Sequence, residues 1–407
     1  MTIRVEFDNR SFELLDVLEF PARYVRELER TRNTVGHAVC RCNTHAEPLR
    51  LVIRRYGSLY HLAGWPDDGM RHNAQLQCPF YKDGSKTSAI TTSAQAAIRK
   101  TAGGLNVRLD VVFAPQSGDD TGGPGVDRTR GTPSGPSRQS ASLLAFLRSL
   151  WGEAGLNVWP AGATTRNWGY CNTALVYAIG DGPINGRQAD RVLHVMRRFE
   201  AAQANVINDE LKAFIEDLGA QEASPSRRGL IIGEINKIEP SKHGQAIVLR
   251  QNSRRYYVDS RLVERAARSY RFAWGAIGNT QARIVTLLVI EERNGYARVV
   301  DLCAMLCSAA FLPCDSLLEV AMANRLTKES RAFEKPLSAN ADQILADFIL
   351  TDTSQRVEIE VYGLNGQAEY ETRKREKQVI RASRGVLCVE WNADREPLDA
   401  VRLPSAI

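Results

Sequence analysis

Residues 357 to 370 read VEIEVYGLNGQAEY. The stretch sets Glu358 and Glu360 on alternate positions of a β-branched run, breaks at a glycine and leads into a strongly basic segment. Successive side chains of a strand point to opposite faces, so Glu358, Glu360 and Tyr362 share one side while Val357, Ile359 and Val361 share the other. The apolar side predicts a core-facing strand. The acidic side is either a solvated strand face or half of a site.

The surroundings decide how much weight the second option carries. Upstream lie a helix pattern, DSLLEVAMANRL, and a strand pattern, ADFIL; downstream lie a helix pattern, AEYETRKREKQVIRASR, and a strand pattern, GVLCVEWN. Helix, strand, strand, helix, strand is an α/β unit. Asp347 opens the ADFIL strand, so its carboxylate and that of Glu360 can converge at one sheet end. Convergent carboxylates repel unless a cation sits between them, and an all-oxygen donor set suits Mg²⁺ or Mn²⁺ better than Zn²⁺. On the following helix Tyr370, Arg373, Lys374, Lys377, Arg381 and Arg384 fall on one face, a cationic row able to track a phosphate backbone. The opposing interpretation is an exposed acidic strand face beside an exposed arginine-rich helix.

This order resembles the PD-(D/E)XK, or restriction-endonuclease-like, nuclease superfamily over roughly the last quarter of the chain. The resemblance implies that Asp347 and Glu360 hold a divalent metal and that Glu319, in DSLLE, matches the helical glutamate found in part of that superfamily. Tyr362 stands where the motif lysine is usual. Lys377 is the candidate for a lysine displaced to the helix, with Lys374 second, and Arg373, Lys374, Arg381 and Arg384 are candidate nucleic-acid contacts.

A second constellation lies near the N-terminus. HAVCRCNTH carries His37, Cys40, Cys42 and His45, and RHNAQLQCPFY carries His72 and Cys78. Between them, LRLVIRRYGSLYHLAGW reads as two strands joined at Gly57, a hairpin that would bring the two groups together. Cys40, Cys42, His72 and Cys78 would close a tetrahedral structural zinc site; three reduced cysteines in a small core are the alternative. Cys303 and Cys307, spaced as on one helix face among apolar neighbours, read as core.

The chain has 407 residues, 43% hydrophobic and 25% charged, with eight cysteines and a net charge of +6. That length predicts two to four domains in an α+β multidomain protein. The expected division is a β-rich Cys/His module over 1–113, a Gly/Pro/Ser-rich linker over 114–142, a helical region with a candidate winged helix over 143–226, a mixed α/β layer over 227–312 and the nuclease-like unit over 313–400. The N-terminal residues lack a signal-peptide pattern, and no apolar run reaches the roughly 18 residues a membrane span needs. A cytoplasmic protein without a membrane partner is therefore expected. Neither a phosphate-binding loop of the Gly-x-x-x-x-Gly-Lys type nor a nucleophile elbow occurs.

Over nearly its full length the chain also resembles the bacterial family termed domain of unknown function 1173. The resemblance rests on Cys40, Cys42 and Cys78, on SLWGEAGLNVW, on IGEINKI and on FEKPL before ADFIL. It implies a mobile-element setting, such as plasmids, and mobile-element or conjugation proteins as partners. Three functions follow as expectations: a metal-dependent nuclease acting on DNA, a catalytically inactive DNA-binding or assembly protein, and a zinc-dependent protein-interaction adaptor.

Overall fold

The β-branched runs between residues 228 and 308 form the longest strands of the molecule. A computed structural model of the chain describes residues 2–43, 48–56, 58–65, 68–76, 78–81, 97–101, 104–111, 113, 141–163, 165–219, 227–242, 244–293, 295–337, 345–363, 378–379, 383 and 385–407. In it the strand Arg228–Ser241 pairs antiparallel with Ala282–Arg293, which pairs antiparallel with Tyr296–Ser308. Leu230, Ile231 and Ile232, neighbours on opposite faces, are all fully buried, as are Leu287 and Leu288. Burial of both faces is why these segments read as nearly unbroken apolar runs instead of alternating ones. Leu193–Val195, Gly244–Leu249 and Arg255–Val258 complete a six-stranded mixed sheet.

Two local expectations change here. Cys303 and Cys307 lie in the strand Tyr296–Ser308, not on a helix, and both are fully buried in the core. The VLHV run, read as helical, supplies the strand Leu193–Val195, paired in parallel with Leu230 to Ile232. Tertiary pairing outweighs local propensity in both of these apolar segments.

The N-terminal residues build a separate five-stranded antiparallel sheet in the order Arg10–Glu13, Arg4–Phe7, His37–Cys40, Leu49–Tyr56, Leu59–Gly64. Its last two strands are the anticipated hairpin, with Leu51 opposite Gly64 and Tyr56 opposite Leu59. Val5, Leu14, Leu28, Leu51 and Leu62 are at the centre of its own apolar core. Tyr56 Oη donates to the Leu193 carbonyl at 2.7 Å, and Arg197 bridges Ser58 Oγ and Glu210 Oε2 at 2.8 Å each, fastening this sheet to the larger body.

A third sheet of five strands runs in the order Leu387–Asn392, Val357–Tyr362, Phe348–Leu350, Phe333–Glu334, Val158–Trp159. The first pair is parallel and the remaining pairs are antiparallel. Its edge strand comes from far upstream in the chain, with Trp159 opposite Phe333. The helix Leu317–Lys328 starts at Ser316, whose Oγ accepts from the Glu319 N–H at 3.1 Å, and packs on this sheet. One continuous apolar core draws on residues from Ala97 to Val401. The architecture is mixed α+β with several sheets, and no helix among the described residues is long and apolar enough to cross a membrane.

A buried ion pair ties the third sheet to the turn after that helix. Arg331 Nε and Nη2 each donate to Asp352 at 2.8 Å, and the Ala332 N–H adds a third bond at 2.9 Å. Although burial opposes it, the Arg331 bonds and the Ala332 N–H hold the Asp352 carboxyl below its usual range. Asp352→Asn is expected to cost about 2–3 kcal/mol in chemical denaturation at pH 7. Because the folded-state value is depressed, the contribution is present above the unfolded value near pH 4 and fades below it. The gap between wild type and variant should therefore narrow in acid, and a gap independent of pH between 7 and 3 would show that the pair contributes nothing through its charge.

Candidate metal centre and acid cluster

Cys40 closes the strand His37–Cys40, Cys42 follows one residue on, and the hairpin returns the chain to His72 and Cys78. The Cys78 N–H bonds the Asn73 carbonyl at 3.0 Å, curling the second ligand segment back on itself. The Cys40 and Cys78 sulfurs are 3.7 Å apart, and His72 Nδ1 is 3.3 Å from the Cys42 sulfur and 3.4 Å from that of Cys78. All four residues are buried, and their ligand atoms lie within 4.8 Å of one another.

A tetrahedral ion with Zn–S near 2.3 Å and Zn–N near 2.0 Å would space its sulfurs about 3.8 Å apart and its sulfur and nitrogen about 3.5 Å apart. The donor set and its spacing therefore fit a metal such as zinc. The Asn73 N–H points at Cys42 Sγ at 3.3 Å, a contact that stabilises negative sulfur. Hydrogen bonds from Cys40 first, and then from Cys78 and His72, hold the Cys42 thiol far below the ordinary thiol range. His45, the other histidine of HAVCRCNTH, lies outside the described residues.

The acids of the C-terminal unit meet around a lysine. Lys335 Nζ lies 2.6 Å from Glu319 Oε2, 3.0 Å from Asp315 Oδ2 and 4.0 Å from Asp347 Oδ1. Its side chain is 5% exposed, and its ammonium sits over the Phe348 ring. Burial works against the Lys335 charge, but Glu319, Asp315 and Asp347 outweigh it and hold the group above the usual lysine range. Burial pushes Glu319 up to about 7, with Lys335 pulling it down and Asp347 and Asp315 pushing it up. Glu319 Oε2 also accepts from the Asp315 N–H at 3.0 Å, so this residue reaches back over the helix start like the glutamate of a capping box.

Asp347, just before the strand Phe348–Leu350, lies beside the backbone of the strand that carries Glu360. The Asp347 N–H donates to the Ile359 carbonyl at 3.1 Å, and Asp347 Oδ2 accepts from the Val361 N–H at 2.7 Å, bracketing Glu360. Glu360 is 1% exposed and Glu358 9% exposed, so the acidic face of VEIEVY is buried, contrary to the solvated-strand interpretation. Arg356 holds Glu358 Oε1 at 3.0 and 3.1 Å. Tyr362 Oη donates to Glu390 Oε1 at 3.2 Å, and Gln378 Nε2 lies 2.9 Å from the same oxygen. Among the described residues Glu319, Asp347 and Glu360 do not form a three-acid group with ligand atoms within 4.8 Å; the Cys/His cluster does. Lys377, Arg373, Lys374, Arg381 and Arg384 lie outside the described residues.

Lys335 and Asp315 were not singled out by the sequence. The available signal was slight: a lysine between an aromatic strand and a proline, in FEKPL. The Lys335 N–H bonds the Asn157 carbonyl at 2.9 Å and the Lys335 carbonyl accepts from Asn157 Nδ2 at 3.0 Å. The residue that positions it is thus remote in the chain. Arg166 and Arg197, basic residues within the 143–226 region that holds the candidate winged helix, are buried, at 9% and 7% exposed.

No curated protein and no solved structure matches the chain. The model of the family described as "Protein of unknown function (DUF1173)" matches residues 22–394, which takes in the cysteine cluster, the central sheet and the acid cluster alike. By that near-complete match the chain belongs to the DUF1173 family.

Proposed function

We propose that the C-terminal unit is a PD-(D/E)XK-like domain that hydrolyses phosphodiester bonds of DNA, in the setting of a bacterial mobile element. The observation that carries this reading is Asp347 bonded to the backbone on either side of Glu360, beside a buried lysine. The order of elements supports it: the helix Leu317–Lys328, three antiparallel strands and then a strand parallel to the third. The donor set of Asp347 and Glu360 is all oxygen and suits Mg²⁺ or Mn²⁺. Such an ion would polarise a phosphate oxygen and lower the pKa of an attacking water. Lys335 keeps Asp347 and Glu319 in place and supplies fixed positive charge for an anionic substrate. Lys377 and the row Arg373, Lys374, Arg381 and Arg384 remain part of the proposal as cations on the DNA side. The N-terminal module is proposed to be held by structural zinc on Cys40, Cys42, His72 and Cys78.

A specific observation favours a second reading, a DNA-binding or assembly protein without catalysis. Lys335 already neutralises Glu319 and Asp315, and Tyr362, at the usual lysine position, is engaged with Glu390. The test is incubation of the full chain with supercoiled and linear DNA in Mg²⁺, Mn²⁺ or EDTA, beside Asp347→Ala and Glu360→Ala. Metal-dependent cleavage lost in both variants supports the nuclease. Salt-sensitive DNA retardation without cleavage supports the second reading, and the absence of both removes DNA from the proposal.

A further inference from the structure

Five strands of the central sheet close into a barrel. Arg228–Ser241 pairs with Gly244–Leu249, which pairs with Arg255–Val258; that strand pairs in parallel with Tyr296–Ser308, which pairs with Ala282–Arg293, and Ala282–Arg293 pairs back with Arg228–Ser241. The first strand serves two neighbours by dividing. Its residues 228–234 pair with the fourth strand in chain order, its residues 235–241 pair with the second, and the register shifts between Ile235 and Lys237. A shift of this kind bends a strand and increases its twist. The helix Ser260–Ser269 lies in the connection between the third and fourth strands. The circuit of first to second to third to fifth to fourth and back is that of the OB-fold. In that fold the second and third strands, with the hairpin tips joining strands one to two and four to five, form a recurrent surface for oligonucleotides. Topology alone assigns no ligand; the residues on that surface do.

Register separates the two sides of the barrel wall. Ile247 pairs with Tyr256, Val258 with Val299 and Val299 with Ile290, and all of these are buried, which makes theirs the inner side. Alternate positions point outward. There Ala246 pairs with Tyr257, Tyr257 with Arg298, Arg298 with Glu291 and Glu291 with Arg228, while Lys237 and Arg255 both pair with Val248. Tyr296, two residues before Arg298, and Arg293 opposite it are on the same side. The Tyr257 and Tyr296 rings meet edge to face with centroids 5.6 Å apart, and Tyr296 is 41% exposed. Around this aromatic pair the charge is one-sided. Lys237 and Arg255 share Glu239 at 2.6 and 2.7 Å, and Arg228, Arg293 and Arg298 share Glu291 at 3.8, 3.1 and 3.4 Å. Each carboxylate is outnumbered and lies beneath its partners: the Glu239 side chain is 19% exposed, those of Lys237 and Arg255 56% each. Lys242, at the tip between the first and second strands, is exposed as well.

We infer that this outward face binds single-stranded DNA, with bases stacked on Tyr257 and Tyr296 and phosphates drawn by Lys237, Arg255, Arg293 and Arg298. Unpaired bases offer π faces that aromatic side chains stack on without regard to sequence, and a cationic strand face follows the backbone beside them. A duplex keeps its bases stacked on one another and has nothing to offer the tyrosines. A neutral oligosaccharide, another ligand of this fold, gains nothing from the surplus of cations. The choice of DNA rests on the nuclease reading above, but the surface belongs to a different sheet from Asp347 and Glu360 and needs no cleavage there.

The test is fluorescence anisotropy of a labelled oligothymidylate of about 16 nucleotides titrated with the full chain, without added Mg²⁺ or Mn²⁺, so that failure of the nuclease reading leaves the result unaffected. Tyr296→Ala is expected to weaken binding by about tenfold, and Tyr296→Phe, which keeps the ring, to bind within about twofold of wild type. Arg255→Ala should weaken it by about threefold and lower the log–log salt slope by about 0.7. Glu239→Gln should tighten it by about threefold, because Lys237 and Arg255 lose the carboxylate that competes with phosphate. Ion pairs that only stabilise the barrel would not produce that gain. The inference is overturned if the folded wild-type chain does not bind the oligothymidylate, if Tyr296→Ala and Arg255→Ala both bind with wild-type affinity, or if a duplex or an oligouridylate of the same length binds more tightly.

Discussion

Cys78→Ser is expected to take the metal content of the reduced, purified chain from about one zinc to near zero, and to unfold the N-terminal module with it. The reasoning starts from what would remain. Cys40, Cys42 and Cys78 are buried at the base of a sheet whose apolar core is drawn from residues 5 to 80. A core that small leaves little margin, and a structural ion commonly supplies the difference. Zinc binding in small domains amounts to on the order of 10 kcal/mol at neutral pH. Losing even about 4 kcal/mol of it would lower the module's Tm by roughly 15–30 °C. Cys303→Ala, which removes a thiol from the strand Tyr296–Ser308 of the central sheet, serves as the control and should leave zinc content unchanged. Metal analysis and a thermal scan decide the matter. Reduced wild-type protein that carries no zinc, and melts as Cys78→Ser does, would make the four residues a dry thiol and imidazole cluster.

That site was legible because its information is local. Paired ligands at short spacing flank two strand patterns close together in the sequence, and hairpin register is a short-range property. The strands ADFIL, VEIEVY and LCVEWN around Asp347 and Glu360 were legible for a related reason: each is a short run of apolar residues, and their order in the chain is their order in the sheet. What stayed hidden depends on distant pairing. Nothing near Lys335 in the sequence shows that Phe333 will pair with Trp159, or that Asn157 will clamp the lysine backbone. Burial of Glu358 and Glu360 was equally invisible. An alternating strand predicts one wet face, and only neighbouring elements decide whether that face is covered. Arg166 and Arg197 mislead in the same way, since a sequence counts their charges without saying that both turn inward.

Lys335→Met is expected to destabilise the chain by about 3–5 kcal/mol at pH 8, because Glu319, Asp315 and Asp347 would then face one another without the buried cation. The pH dependence identifies the cause. In the wild type burial raises Glu319 to about 7. A carboxyl raised in the folded state stabilises most below its unfolded value near 4, and that benefit is lost as pH rises toward 7. Lys335 is the group that pulls Glu319 down, so its removal pushes that value higher still and widens the window of loss. The variant should therefore be weakest near pH 8 and recover toward pH 5, where Glu319 is protonated. Lys335 itself, also raised, keeps its contribution below its unfolded value near 10.4 and loses it only above that. Adding Glu319→Gln removes the stranded charge, so the double variant should regain much of the loss, with a coupling of about 1–3 kcal/mol in the double-mutant cycle. The same pair of variants separates structure from chemistry. If the lysine only neutralises Glu319, a stable double variant should bind or cleave DNA as the wild type does. If it also meets the anionic substrate, stability returns and DNA processing does not. A Lys335→Met chain within about 1 kcal/mol of wild type at pH 8 would mean that the acids are neutralised by protons instead of by the ammonium.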